Sequence, residues 1–145
     1  MVEEGKPAPD FELLNDEGEK VKLSSFRGRP VVLYFYPRDD TPGCTRQACG
    51  IRDSYDLFAE RGAVVLGVST DTQAAHVKFK NKYGLPFTLL ADPDQQTGEL
   101  YGVSKEGGRS FERSTFVIDA EGNVRKIMRR VNPDRHADLV LAALP

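Results

Sequence analysis

The run Val31-Val32-Leu33-Tyr34-Phe35-Tyr36-Pro37-Arg38-Asp39-Asp40-Thr41-Pro42-Gly43-Cys44-Thr45-Arg46-Gln47-Ala48-Cys49 decides the fold. Its first six residues are apolar or aromatic at every position and sit between Pro30 and Pro37. A strand with one wet face would alternate. This one does not, which predicts a central strand covered on both sides. From Pro42 the period changes. Ala48, Ile51, Tyr55 and Phe58 recur at helical spacing, so residues 42–61 are predicted to form a helix ended by Gly62. Cys44 then falls in a first helical turn just past the carboxyl end of a buried strand. Reactive groups gather there in open α/β sheets.

Residues outside this run extend the pattern. Residues 11–14 and 20–23, parted by Asn15-Asp16-Glu17-Gly18, read as an N-terminal hairpin. Residues 63–69 repeat the buried-strand pattern, and Asp71 or Thr72 can cap a helix that runs to Tyr83 and stops at Gly84. A short strand at 87–90 and a short helix at 94–101 follow. Strands at 114–118 and 124–131 are joined by the turn Asp119-Ala120-Glu121-Gly122. Pro133, at a first-turn position it tolerates, opens a last helix through Leu144. The fold class is α/β, a mixed central sheet flanked by helices, with residues 1–145 as a single domain.

Composition excludes several classes. The 145 residues carry 20 Lys+Arg against 22 Asp+Glu, net −2, so no dense cationic surface exists for bulk nucleic-acid or membrane binding. At 39% hydrophobic the chain is not disordered. Met1-Val2-Glu3-Glu4-Gly5-Lys6 lacks the basic start and apolar run of a secretory signal, and no stretch approaches the ~20 apolar residues that span a bilayer. A soluble cytoplasmic protein is expected. In a reducing compartment its two cysteines, Cys44 and Cys49, read as redox-active or metal-binding rather than as a permanent disulfide.

The chemistry concentrates around Cys44. Backbone N–H groups of a first helical turn point at its thiol, and the helix dipole favours the thiolate. Thr41 brings a hydroxyl, Pro37 and Pro42 stiffen the approach, and Gly43 lets a bound molecule approach the backbone closely. Cys49, beside Ala48 and Ile51, also suits a buried inert thiol. Arg113 alone reads as a solvated strand-end charge.

Taken together, Tyr36-Pro37, Thr41-Pro42-Gly43-Cys44-Thr45, Ala48-Cys49-Gly50 and Arg52-Asp53 resemble the signature of the peroxiredoxins, most closely the Q type, or bacterioferritin-comigratory-protein class. Leu66-Gly67-Val68-Ser69, the run from Tyr83 to Asp92, and Arg113-Ser114-Thr115-Phe116-Val117-Ile118-Asp119 continue the resemblance over nearly the whole chain. It implies a thioredoxin-like fold and thiol-dependent reduction of hydroperoxides, with no metal, flavin or haem required. Cys44 matches the peroxidatic cysteine, and Thr41, Pro37 and Arg113 match the rest of the peroxide site. Cys49 matches the resolving cysteine of members that place it five residues on, forming a Cys44–Cys49 disulfide. Thioredoxin or a similar dithiol protein would be the reductant, and a monomer is the default expectation.

The chemistry agrees with that assignment. As thiolate attacks a peroxide oxygen, charge develops on the leaving oxygen, so donors must be aimed at both oxygens beforehand. Arg113 offers a planar fork that Lys cannot reproduce, and the Thr41 hydroxyl and the Cys44 N–H are further donors. The sulfenic acid product condenses with a second thiol. Two features depart from the family pattern. Gln47 stands where many peroxiredoxins have Glu, so it can hydrogen-bond Arg113 but not ion-pair with it. The loop over 104–112 is shorter than in many relatives.

Other features read as ordinary surface. His76 and His136 lie on separate helices among charged or small residues and are expected to be exposed. A zinc site would need four converging ligands. Arg125, Lys126, Arg129 and Arg130 read as a solvated strand pair or a docking patch, and Asp39-Asp40 as turn residues. A general dithiol–disulfide oxidoreductase usually has Cys-x-x-Cys, so the longer spacing here argues against one. A redox-sensing or metal-holding binding module is the other alternative. Consumption of peroxide with a dithiol reductant separates the peroxidase from both.

Overall fold

The computed structural model of the chain describes residues 2–105, 108 and 110–145. An N-terminal hairpin, β1 (Glu12–Asn15) and β2 (Lys20–Lys22), leads through a 3-10 turn (Leu23–Phe26) to β3 (Val31–Phe35). Then come α1 (Pro42–Asp53), α2 (Tyr55–Glu60), β4 (Val64–Ser69), α3 (Gln73–Tyr83), β5 (Thr88–Ala91) and α4 (Gln96–Leu100). The chain closes with β6 (Ser114–Ile118), β7 (Val124–Arg129) and α5 (His136–Ala143).

Among the described residues these strands form one sheet in the order β2-β1-β5-β4-β3-β6-β7. β3, β4 and β5 run parallel, while β6 and β7 are antiparallel additions on one side and β1 and β2 on the other. β3 lies between β4 and β6 and is buried along its whole length, as its unbroken apolar run requires. Alternate residues serve two cores. Val31, Leu33 and Phe35 pack with the N-terminal segment, Tyr101 and Phe111. Val32, Tyr34 and Tyr36 pack under α1, α2, α3 and α5 through Ile51, Phe58, Phe79 and Val140. A fully buried side chain such as Phe35, at 0% exposure, contributes about 2–3 kcal/mol.

Two helix boundaries differ most from the sequence reading, and the strand expected over 124–131 ends at Arg129, before the left-handed Arg130. The helix expected over 42–61 breaks at Ser54, whose N–H is shared between the Gly50 and Ile51 carbonyls at 3.2 Å each. Apolar periodicity continues across the break, so the pattern alone does not reveal it. The last helix starts at His136, not Pro133. The Asn132 side chain accepts from the Asp134 N–H (2.9 Å) and the Asn132 carbonyl from the Arg135 N–H (3.1 Å), which folds Pro133 into a turn instead. α3 follows expectation, with Thr72 accepting from the Ala75 N–H and Gly84 left-handed at φ 61°.

Among the described residues, no helix is long and apolar enough to cross a membrane. The short 104–112 loop includes Glu106, Gly107 and Arg109, which lie outside the described residues.

Candidate active site

α1 begins against the carboxyl end of β3, with Thr41 as its N-cap and Pro42 as its first residue. Proline has no N–H, and the Thr45 N–H closes the first helical bond on the Thr41 carbonyl at 2.8 Å. The donors left at the helix start are therefore those of Gly43 and Cys44. Cys44 is 1% exposed, with its side chain turned into the core beneath α1, whereas Cys49 is half-buried, and both are free thiols. Both lie within α1. Over five helical residues the Cα atoms are about 8.6 Å apart, beyond the roughly 7 Å a disulfide spans. The bond requires α1 to open.

Arg113 reaches this helix start from the residue before β6. Its Nη1 donates to Gln47 Oε1 at 2.5 Å, and Gln47 is fully buried. Its Nη2 lies so close to Gly43 that a Cβ there would sit 3.1 Å from it and 3.7 Å from Pro133 Cγ. Glycine at this position is what admits the guanidinium. The structure thus brings Gly43, Cys44, Gln47 and Arg113 together, and Gln47 serves as the arginine's neutral support.

Thr41 differs from expectation in its hydrogen bond. Its hydroxyl donates to the Arg38 carbonyl at 2.9 Å, which leaves Oγ1 as an acceptor toward a ligand. Pro37, half-buried, precedes it in the same loop. Asp40 is left-handed at φ 57°, a conformation an Asp tolerates at some cost. Its carboxylate accepts from Tyr83 Oη (2.6 Å) and Lys82 Nζ (2.9 Å), which hold it below the ordinary carboxylate range.

Both histidines, expected at the surface, are 0% exposed. Their partners are distant in sequence, which a reading of local neighbours does not detect. His136 Nε2 lies 2.7 Å from Thr115 Oγ1. Burial, and then the nearby Arg113 charge, push its pKa down to about 3, so it is a neutral imidazole. His76 lies against Asp39 at 2.6 Å, and Tyr36 Oη donates to the same carboxylate. Nothing local in the sequence marks Asp39, Tyr36 and His76 as a group. Beneath the site, burial and then the Cys44 and Asp39 charges raise the Tyr34 phenol well above its usual range. At the other end of α1, Arg52 Nη1 donates to the Tyr83 carbonyl at 2.7 Å.

Chemically, this is a buried thiol at a helix start with a clamped guanidinium beside it and an acceptor hydroxyl in the approaching loop. The AhpC/TSA family model matches residues 4–127. The chain is 48% identical to the Bacillus subtilis peroxiredoxin Bcp, over 99% of this chain and 95% of that protein. The Mycobacterium tuberculosis peroxidoxin BcpB superposes with a TM-score of 0.92 at 36% identity, covering 99% of this chain and 96% of the other. The Xanthomonas campestris bacterioferritin comigratory protein superposes at 0.87 with 37% identity, over 92% of this chain and 88% of the other.

Proposed function

Because the chain belongs to the AhpC/TSA family and is a thiol-dependent peroxidase of the Bcp/peroxiredoxin Q type, we propose that Cys44 is its peroxidatic cysteine and Cys49 its resolving cysteine. The observation that carries this is the Arg113 guanidinium, clamped by Gln47 and admitted by Gly43 at the helix start of Cys44.

The Cys44 thiolate attacks the terminal oxygen of a hydroperoxide. The S–O bond forms as the O–O bond breaks, and the leaving alkoxide or hydroxide takes a proton to become alcohol or water. The peroxide's own proton is held by Thr41 Oγ1. Arg113 and the Gly43 and Cys44 N–H groups stabilise the charge as it develops. Pro37 shields the thiolate from bulk water. The Cys49 thiol then displaces water from the Cys44 sulfenic acid, giving the Cys44–Cys49 disulfide. Thioredoxin or a similar dithiol protein returns both thiols. The X. campestris relative is described by its alkyl peroxide reduction activity, which supports organic hydroperoxides as well as hydrogen peroxide as substrates. In this reading residues 1–145 act as one unit and as a monomer, in a cytoplasm whose reducing poise keeps the thiols available.

The test is peroxide consumption with thioredoxin, thioredoxin reductase and NADPH. Wild type turns over, Cys44→Ser is inactive, and Cys49→Ser consumes about one equivalent and stalls. Sustained turnover by Cys44→Ser would sink the assignment.

A further inference from the structure

We propose that His76 is a positioning residue for the peroxidase reaction, acting through Asp39 to fix the loop that holds Pro37 and Thr41 beside Cys44. The proposal rests on the reading of Cys44 as the reacting thiol.

His76 sits in the first turns of α3, and its side chain is 0% exposed. Its Nε2 lies 2.9 Å from the Leu90 carbonyl oxygen. A carbonyl only accepts, so Nε2 carries a proton. The other nitrogen, Nδ1, lies 2.6 Å from Asp39 Oδ2, on a carboxylate only 5% exposed. Asp39 Oδ1 accepts from Tyr36 Oη at 2.5 Å. The Asp39 N–H donates to Asp71 Oδ2 at 2.8 Å, and that oxygen also accepts from Ser69 Oγ at 2.6 Å. Asp39 is therefore tied to the carboxyl ends of β3 and β4 directly and to that of β5 through His76.

This network ends two residues before Thr41, with the left-handed Asp40 between. A residue in that conformation stays there only where its surroundings over-determine it. Asp40 is held on its outer side by Lys82 and Tyr83, and Asp39 on its inner side by His76 and Tyr36. Stability alone does not explain the arrangement, because a buried polar pair is commonly no more stabilising than apolar groups of the same size. Its location explains it better. The loop carries the Thr41 oxygen, and a misplacement of about 1 Å can slow a reaction on the order of 10²-fold.

The two ring nitrogens can be tested separately. The Asn amide of His76→Asn can replace Nδ1 on Asp39. The longer Gln amide of His76→Gln can replace Nε2 on the Leu90 carbonyl and leaves Asp39 Oδ2 without its partner. Stopped-flow oxidation by hydrogen peroxide, followed by the subsequent disulfide step, reads both effects. His76→Gln should oxidise about 10–100-fold more slowly, His76→Asn within about threefold of wild type, and the disulfide step should be unchanged in both. Tyr36→Phe, which keeps the ring and loses one Asp39 bond, should slow oxidation by about threefold or more and covers the case in which His76→Gln does not fold. Wild-type oxidation rates in Tyr36→Phe and His76→Gln overturn the proposal. So do losses in both His76 variants that track their melting temperatures, or the reverse ranking of the two. A wild type that does not react with peroxide at Cys44 refutes the underlying reading instead.

Discussion

Gly43 and Arg113 share one small space: a Cβ on Gly43 would lie 3.1 Å from Arg113 Nη2. Gly43→Ala should therefore push the guanidinium aside without disturbing β3 or the core. The guanidinium need give by only a few tenths of an ångström, so the rate of thiol oxidation should fall about three- to tenfold while thermal stability stays near wild type. Stopped-flow oxidation beside a melting curve checks this. An unchanged oxidation rate would remove Arg113 from the proposed role.

Arg113→Lys keeps the positive charge but loses the fork that spans Gln47 and the helix start. Oxidation should slow about 100-fold. Gln47→Leu, which keeps the arginine and removes its 2.5 Å support, should slow it about tenfold. Measuring both distinguishes charge from orientation: if Arg113→Lys matches wild type, charge alone suffices.

A Cβ at Gly50 would meet nothing within 4 Å. Gly50→Ala should therefore stabilise α1 by about 0.5–1 kcal/mol with no clash. Since the disulfide requires α1 to open, its formation should slow about two- to fivefold, the same energy expressed as a population. More enzyme should then be lost to sulfinic acid at high peroxide. Mass spectrometry after a peroxide titration checks it, and equal over-oxidation in the two proteins contradicts it.

Hydrogen exchange should differ between the reduced and Cys44–Cys49 disulfide forms. Residues 42–50 should lose protection on oxidation, because the helical Cα separation of Cys44 and Cys49, about 8.6 Å, exceeds what the bond spans. Equal protection in a verified disulfide form would refute helix opening.

His136 makes stability depend on acid. Its folded pKa is about 3, and its unfolded value about 6.5. Between these the unfolded chain binds a proton that the folded one refuses. This contribution is therefore full above about pH 6.5 and is lost as pH falls toward 3, by up to about 1.4 kcal/mol per unit. Denaturant titrations at pH 7 and pH 5 should show wild type losing about 2 kcal/mol more than His136→Gln. Parallel losses would mean that His136 is not held neutral.

Much of this architecture was legible in the sequence because it is local. The doubly apolar run at 31–36 specifies β3, Thr72 and Gly84 bound α3, and Thr41 to Cys44 mark a helix start. What escaped depends on partners far along the chain or on competition between local options. Asp39 lies 37 residues from His76, and Thr115 lies 21 from His136, so each histidine's neighbours in sequence indicate surface while its neighbours in space do not. Pro133 is suited to begin a helix, yet the Asn132 side chain captured the turn first. The acceptor role of Thr41 follows from the Arg38 carbonyl, which only the folded loop brings within reach.

The far end of α1 determines how the enzyme recovers. Arg52 grips the Tyr83 carbonyl, and the Ser54 N–H rests on the Gly50 and Ile51 carbonyls, so the last turn is held by bonds that lie beyond the segment between the two cysteines. After the disulfide is reduced, rewinding starts from a turn already formed. Nucleation, the slow and improbable part of making a helix, is bypassed. Only elongation remains, at about nanoseconds per residue. The return of Cys44 to its buried seat is then fast beside an encounter with a peroxide or a reductant, and the refolding of α1 does not hold the enzyme back.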